Sequence, residues 1–208
     1  MDPFGHWVDQ PLAIVDLETT GFSPEFDRIV EIGIVRVENR RVVESWATLV
    51  DPGRRIPYGA QKAHGIGEID VCGKDKLLVH LPTILRLTRG ALPVAYSAEF
   101  DRRMLRAEML RMELEMPIGL PHHAAFDERW PWIDPLVWIR TLDNVQNSNT
   151  LAEACGRFGI PTGISHRARD DAEATAMLLL ALAPRIGKMT ATQLIAQQRE
   201  TAARRKAG

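Results

Sequence analysis

Ile14-Val15-Asp16-Leu17-Glu18-Thr19-Thr20-Gly21 is the run from which the rest of this chain is read. The stretch from Pro11 to Asp16 has the length and apolar character of a buried strand. Residues two apart on a strand point to the same face, so Asp16 and Glu18 stand side by side at the strand end. Two such carboxylates repel and raise one another's pKa. A hard divalent cation with oxygen ligands removes the conflict. Taken alone, the pair has an ordinary explanation as two unrelated acids at an exposed strand end.

Further along, Arg28 to Val37 and Arg41 to Val50 are two β-rich runs with Asn39-Arg40 between them, which predicts a hairpin. Within the first of these runs Glu31, Gly33 and Val35 share one face, and Ile32, Ile34 and Arg36 the other. The hairpin ends at the turn Asp51-Pro52-Gly53. Lys76 to Thr88 is spaced as a helix that stops before Gly90. Leu92 to Tyr96 reads as a fourth strand and Glu99 to Leu114 as a helix. Glu115 to Trp130, rich in Pro and His, reads as a loop, and Trp132 to Ile139 as a short element of either type. Three more helices are expected: Thr150 to Phe158, closed by Gly159; the strongly apolar Asp170 to Leu182; and an amphipathic one from Thr190 to Arg205. Three consecutive strands followed by alternating helices and strands predict an α/β fold, a mixed β-sheet flanked by helices. The expected organisation is one domain over 1–185 and a helical basic tail over 186–208, ending in Arg204-Arg205-Lys206.

With 208 residues, 45% of them hydrophobic and 25% charged, the chain has the composition of a globular protein with a core that needs no staples. Cys72 and Cys155 form no CxxC and sit in no Cys/His cluster, which argues against a disulfide framework or structural zinc and for a reducing, cytoplasmic setting. Met1 to His6 has neither the basic nor the apolar region of a signal peptide, and the apolar run near Met177 to Ala183 is too short to span a bilayer. No membrane association is expected. The net charge of −1 does not announce nucleic acid, but bound cations reverse the field of a carboxylate site, and Arg102, Arg103, Arg167 and Arg169 flank the acidic segments.

Two further signals lie downstream. Ala98-Glu99-Phe100-Asp101 opens a predicted helix, where an acid is a common first-turn residue. His166-Arg167-Ala168-Arg169-Asp170-Asp171 precedes the apolar helix, where Asp171 would serve equally as a cap. His122-His123 reads as solvated loop, and Trp130, Trp132 and Trp138 as core.

In this order the segments resemble the DEDDh exonucleases, the superfamily with an RNase H-like fold that includes the polymerase III epsilon proofreading subunit, oligoribonuclease and RNase T. The resemblance runs from Pro11 to Leu182. Its first motif is Val15-Asp16-Leu17-Glu18-Thr19-Thr20-Gly21, its second Phe100-Asp101, and its third His166 with four residues before Asp171. Arg167 stands where a DEDDy member would carry Tyr. Arg28-Ile29-Val30-Glu31-Ile32-Gly33 resembles the family's second strand, and Ala63-His64-Gly65-Ile66 the loop that faces the terminal nucleotide in epsilon-like members. One departure is that Tyr96 and Ser97 stand where the family usually carries His-Asn, with Glu99 as an added acid.

The resemblance implies a 3′–5′ exonuclease that hydrolyses phosphodiester bonds by a two-metal mechanism, with two divalent ions, Mg2+ or Mn2+. Asp16, Glu18, Asp101 and Asp171 would hold the metals. His166 would act as general base, histidine being the side chain that ordinarily changes charge near neutral pH. Thr19, Thr20, Gly21, Phe22 and His64 would bind the 3′-terminal nucleotide of a single strand, with stacking that tolerates any base. DNA is favoured over RNA, with a polymerase as a further partner. The alternatives are an exoribonuclease on short RNA, whose site must read the 2′-hydroxyl, and a non-catalytic adaptor that binds a polymerase.

Overall fold

A computed structural model describes residues 5–115, 132–142, 150–163 and 166–207. Four strands form one mixed sheet: β1 (Leu12–Thr19), β2 (Ile29–Glu38), β3 (Arg41–Leu49) and β4 (Leu92–Val94). Their order is β3-β2-β1-β4. β1–β2 and β2–β3 pair antiparallel, and β4 joins β1 in parallel. The Asn39-Arg40 turn has positive φ at both residues, 51° and 62°, the two-residue connection whose twist suits a hairpin. Beyond β4, Ile133 adds a single parallel bridge to Val94. The mixed sheet expected from the sequence is therefore present.

The pleat divides the core in two. Leu12, Ile14, Val35 and Val37 face α7 (Ala168–Ile186), which packs along β1 and β2. Val15, Leu17, Ile32 and Ile34 face α3 (Leu77–Thr88) and α4 (Glu99–Glu115). Apolar residues on both faces explain why β1 and β2 read as nearly continuous hydrophobic runs. α1 (Tyr58–His64) and α2 (Glu68–Val71) had no clear sequence signal, being too short to show a helical period; with Val30 and Ile56 they cover a small satellite core. The short element after Trp132 is α5 (Pro135–Leu142). Trp132 and Trp138 are buried, as expected; Trp130, His122 and His123 lie outside the described residues.

α6 (Leu151–Arg157) opens on a capping box of Thr150 and Glu153. The final helix, α8 (Ala191–Ala207), packs on α5, with Leu194 fully buried. Its Gln198 side chain donates to the Trp132 carbonyl at 2.9 Å and accepts from the Asp134 N–H at 2.9 Å. Among the described residues no helix is long and apolar enough to cross a membrane.

Candidate active site

The site lies where β1, α4 and α7 meet. β4 pairs with β1 only as far as Ile14, and among the described residues no other strand lies along the rest of that edge of β1. α4 starts beside it, and the Asp101 carboxylate, 4% exposed, accepts the backbone N–H of Leu17. Asp134 fixes the start of α4, accepting from the backbone N–H of Ser97 at 3.0 Å and of Ala98 at 3.1 Å. Ser97 has φ +63°, a conformation in which Asn is several-fold enriched over most residues. The serine here makes the same turn.

α7 comes close because β2 carries a glycine at the crossing. Gly33 is the ladder partner of Asp16, and a Cβ on it would lie 2.3 Å from the Ala168 carbonyl oxygen. Helix start and strand thus touch backbone to backbone, which brings Asp171, one turn further along α7, over the β1 acids. The next partners on that face of the ladder are Glu18 and Glu31. Glu31, 3% exposed, accepts Arg167 Nε at 3.1 Å, Arg167 Nη2 at 2.7 Å and the Ala168 N–H at 3.0 Å. This two-pronged pair ties the turn before α7 to the sheet. His166 occupies that turn with φ +62°, and its N–H donates to Asp171 Oδ2 at 2.9 Å. One ligand atom each from Glu18, His166 and Asp171 lies within 4.8 Å of the others.

The carboxylates strain one another electrostatically. Asp16 is held well above the usual carboxylate range, first by burial and then by Asp101, Asp171 and Glu18. Glu18 rises to about 8 through burial, Asp171 and Glu31, with Arg167 opposing. Burial dominates the rise at Asp101 and at Asp171, where the His166 N–H acts in the other direction. Four acids collected in one place, with Arg167 as the cation beside Glu18, make an anionic oxygen donor set suited to hard divalent ions.

The residues after β1 form a braced rim. The Thr20 hydroxyl donates to Asp27 Oδ1 at 2.9 Å, and Ser23 N–H donates to Asp27 Oδ2 at 3.0 Å. Thr19 Oγ1 donates to the Gly21 carbonyl at 2.6 Å. His64 is buried, its Nδ1 accepting the Ile66 N–H at 3.0 Å, so that Nε2, 3.3 Å from the Thr19 carbonyl oxygen, is left as the donor. Burial pushes its pKa down. Phe22, by contrast, is 88% exposed, its ring centroid 6.0 Å from that of Phe100.

All five residues expected to carry the chemistry (Asp16, Glu18, Asp101, His166 and Asp171) are thus brought together, with Thr19, Thr20, Gly21, Phe22 and His64 alongside. Sequence reading missed the parts played by Glu31, Gly33 and Arg167. The available signal was Glu31 itself, a charge inside an apolar strand, which requires a buried partner.

The profile of the RNase_T family, described as exonuclease, matches residues 13–179. The chain is 30% identical to the PolC-type DNA polymerase III of Thermotoga maritima over 89% of its own length but only 13% of that protein's. It is 28% identical to the epsilon subunit of DNA polymerase III from Treponema pallidum, over 76% of this chain and 69% of that one. Exonuclease X, solved in complex with 5′-overhanging duplex DNA, superposes with a TM-score of 0.67 at 26% identity, covering 90% of this chain and 99% of the other. Exonuclease I shares the fold at a TM-score of 0.70 and 18% identity, over 90% of this chain and 43% of its own. The chain belongs to the RNase_T family of exonucleases.

Proposed function

We propose that this chain is a 3′–5′ exonuclease that removes nucleoside monophosphates from single-stranded DNA. The observation that carries the proposal is the convergence of Asp16, Glu18, Asp101 and Asp171 with His166 beside them. The four carboxylates would hold two divalent ions, Mg2+ or Mn2+, which supply charge stabilisation to the attacking and leaving oxygens. A His166 ring nitrogen takes the proton of the attacking water. That water oxygen bonds to phosphorus, the bond from phosphorus to the 3′ oxygen of the preceding nucleotide breaks, and that oxygen leaves to be protonated. Glu31 and Arg167 position His166 through the backbone they hold. Phe22 stacks on the terminal base, while Thr19, Thr20, Gly21 and His64 set the shape of its pocket.

DNA is favoured because the relatives named above are DNA polymerase III proteins and the exonuclease X structure holds DNA. Work beside a polymerase, in proofreading or repair, follows from the same likeness, in a cytoplasmic setting that keeps the free thiols of Cys72 and Cys155 reduced. The exonuclease domain is proposed to cover 1–185, with 186–208 as a helical tail that docks on it and braces the Trp132–Asp134 bend. The test is digestion of matched 5′-labelled DNA and RNA oligonucleotides, with Mg2+, with Mn2+ and with chelator. The expected result is metal-dependent shortening of DNA from the 3′ end, one nucleotide at a time. Preferential digestion of RNA would replace the substrate, and a labelled mononucleotide at the first time point would reverse the polarity. No cleavage under any metal would leave a binding adaptor.

A further inference from the structure

α4 begins at the active site and carries a row of arginines away from it. Glu99, Arg102, Arg103 and Arg106 recur at the three- and four-residue spacing that places side chains on one helical face, with Arg111 five residues further along. Opposite faces of α4 bury Asp101, Met104, Leu105 and Met109. The arginine face lines a groove of about 430 Å³ whose other wall is Pro24 and Glu25, from the loop that carries Phe22.

The charge of this groove differs from that of the whole protein. Its lining holds Arg102, Arg103, Arg106 and Arg111 against Glu25 and Glu99, in a chain whose net charge is −1. Arg111 is committed, to buried Glu108 at 3.2 Å and to the Pro24 carbonyl. Arg103 pairs at 3.6 Å with Glu25 and Arg102 at 2.8 Å with Glu99, both acids that face solvent. Pairs with solvent-facing acids contribute little, so a phosphate displaces them at little cost, and the guanidinium fork matches phosphate geometry. From Glu99 to Arg111 the helix rises roughly 18 Å. That length spans several phosphates of one strand. The cleft on the other side of the site is lined by Lys74, Arg167 and Arg169, but there Arg167 is spent on Glu31 and Arg169 pairs with Glu173.

We propose that the groove between α4 and the Phe22–Glu25 loop is the track for the sugar–phosphate backbone of the substrate strand on the 5′ side of the reacting nucleotide, with Arg102, Arg103 and Arg106 as its phosphate contacts. The proposal rests on the nuclease reading for the identity of the strand.

The test is the double variant Arg103→Gln/Arg106→Gln, both on the accessible helix face, with thermal melting as the check on folding. Binding of labelled single-stranded DNA, from a dinucleotide to roughly twenty nucleotides, is read by fluorescence anisotropy without divalent ions, and cleavage is read separately with them. The loss of affinity should grow with strand length. The slope of log K against log salt should flatten by about 0.7 per lost contact, about 1.4 in all. Glu25→Gln, which frees Arg103, should shift affinity the other way. Equal affinity of double variant and wild type for long strands, or a loss independent of length, overturns the track. So does a loss that appears only when a complementary strand is annealed, since the groove would then serve that strand. Cleavage with arginine-independent binding sinks this inference and spares the nuclease reading. Arginine-dependent binding of long strands without cleavage does the reverse.

Discussion

Asp16 and Gly33 face one another across the β1–β2 ladder, and the bare α-carbon of Gly33 is what lets the start of α7 settle over the acid. A single methyl group at Gly33 would meet the Ala168 carbonyl and push the helix outward, with no flexible side chain to yield in its place. Gly33→Ala is expected to destabilise the protein by about 1–3 kcal/mol, the usual range for overpacking, and to reduce turnover by displacing Asp171 and His166. Thermal melting and steady-state kinetics on one sample check both. A variant as active and as stable as wild type would show that the contact is softer than drawn.

Removing one of the crowded charges should separate stability from activity. Asp16→Asn removes a carboxyl group whose pKa is raised first by burial and then by the neighbouring acids, so the metal-free variant should melt higher than wild type. It should also lose several kcal/mol of transition-state stabilisation, at least about a hundredfold in rate. Calorimetry in chelator and a nuclease assay give the two readings. Near wild-type turnover by the folded variant would remove Asp16 from the site.

Burial, reinforced by the same repulsion, fixes the sign of a pH dependence. Glu18 rises from its ordinary 4.5 to about 8 in the folded state, and Asp16, Asp101 and Asp171 also rise. Between those two pH values the folded state keeps protons that the unfolded chain has released, so stability falls as pH rises through that window. Glu25, Glu44 and Asp51 shift downward and act only at lower pH, and His64, lowered by burial, opposes the trend only below its ordinary 6.5, one group against four raised acids. Without divalent ions the melting temperature should therefore decline from about pH 4.5 to about 8, and Mn2+ should raise it most at the alkaline end. A melting temperature that climbs over the same interval would refute the electrostatic account.

His166 and Glu31 can be told apart by coupling. His166→Ala is expected to lower kcat by about 10²–10⁴-fold and to change metal affinity little. Glu31→Gln weakens the hold on Arg167 and should lower kcat by about tenfold or more, as supporting residues of a metal site do, with little effect on KM. If Glu31 acts through His166, the double variant should be hardly slower than His166→Ala alone, since residues that act as a unit are not additive. Full additivity would make Glu31 a structural residue unrelated to the base.

Much of this was readable from the sequence, for identifiable reasons. β1 and β2 announced themselves because both of their faces are buried, and the hairpin because two β-rich runs are separated only by Asn39-Arg40. The acids, each with an ordinary explanation alone, became legible because Asp16-Leu17-Glu18, Phe100-Asp101 and His166 to Asp171 follow one another in the order of the DEDDh motifs they resemble. What escaped depends on register between segments far apart in the chain. Nothing local tells that Glu31 stands opposite Glu18, or that Arg167 reaches Glu31 across 136 positions. The Thr20–Asp27 contact that braces the loop was equally silent, since a threonine in a motif reads as a substrate contact before it reads as a strut.

Gln198 sets a practical limit on how far the chain can be trimmed. Its amide grips both sides of the bend at Trp132–Asp134, and the Asp134 carboxylate in turn holds the first residues of α4. A protein cut at residue 185 keeps every acid and the histidine, yet loses the clasp two steps removed from Asp101. Anyone seeking the smallest working nuclease from this sequence should place the cut beyond Gln198.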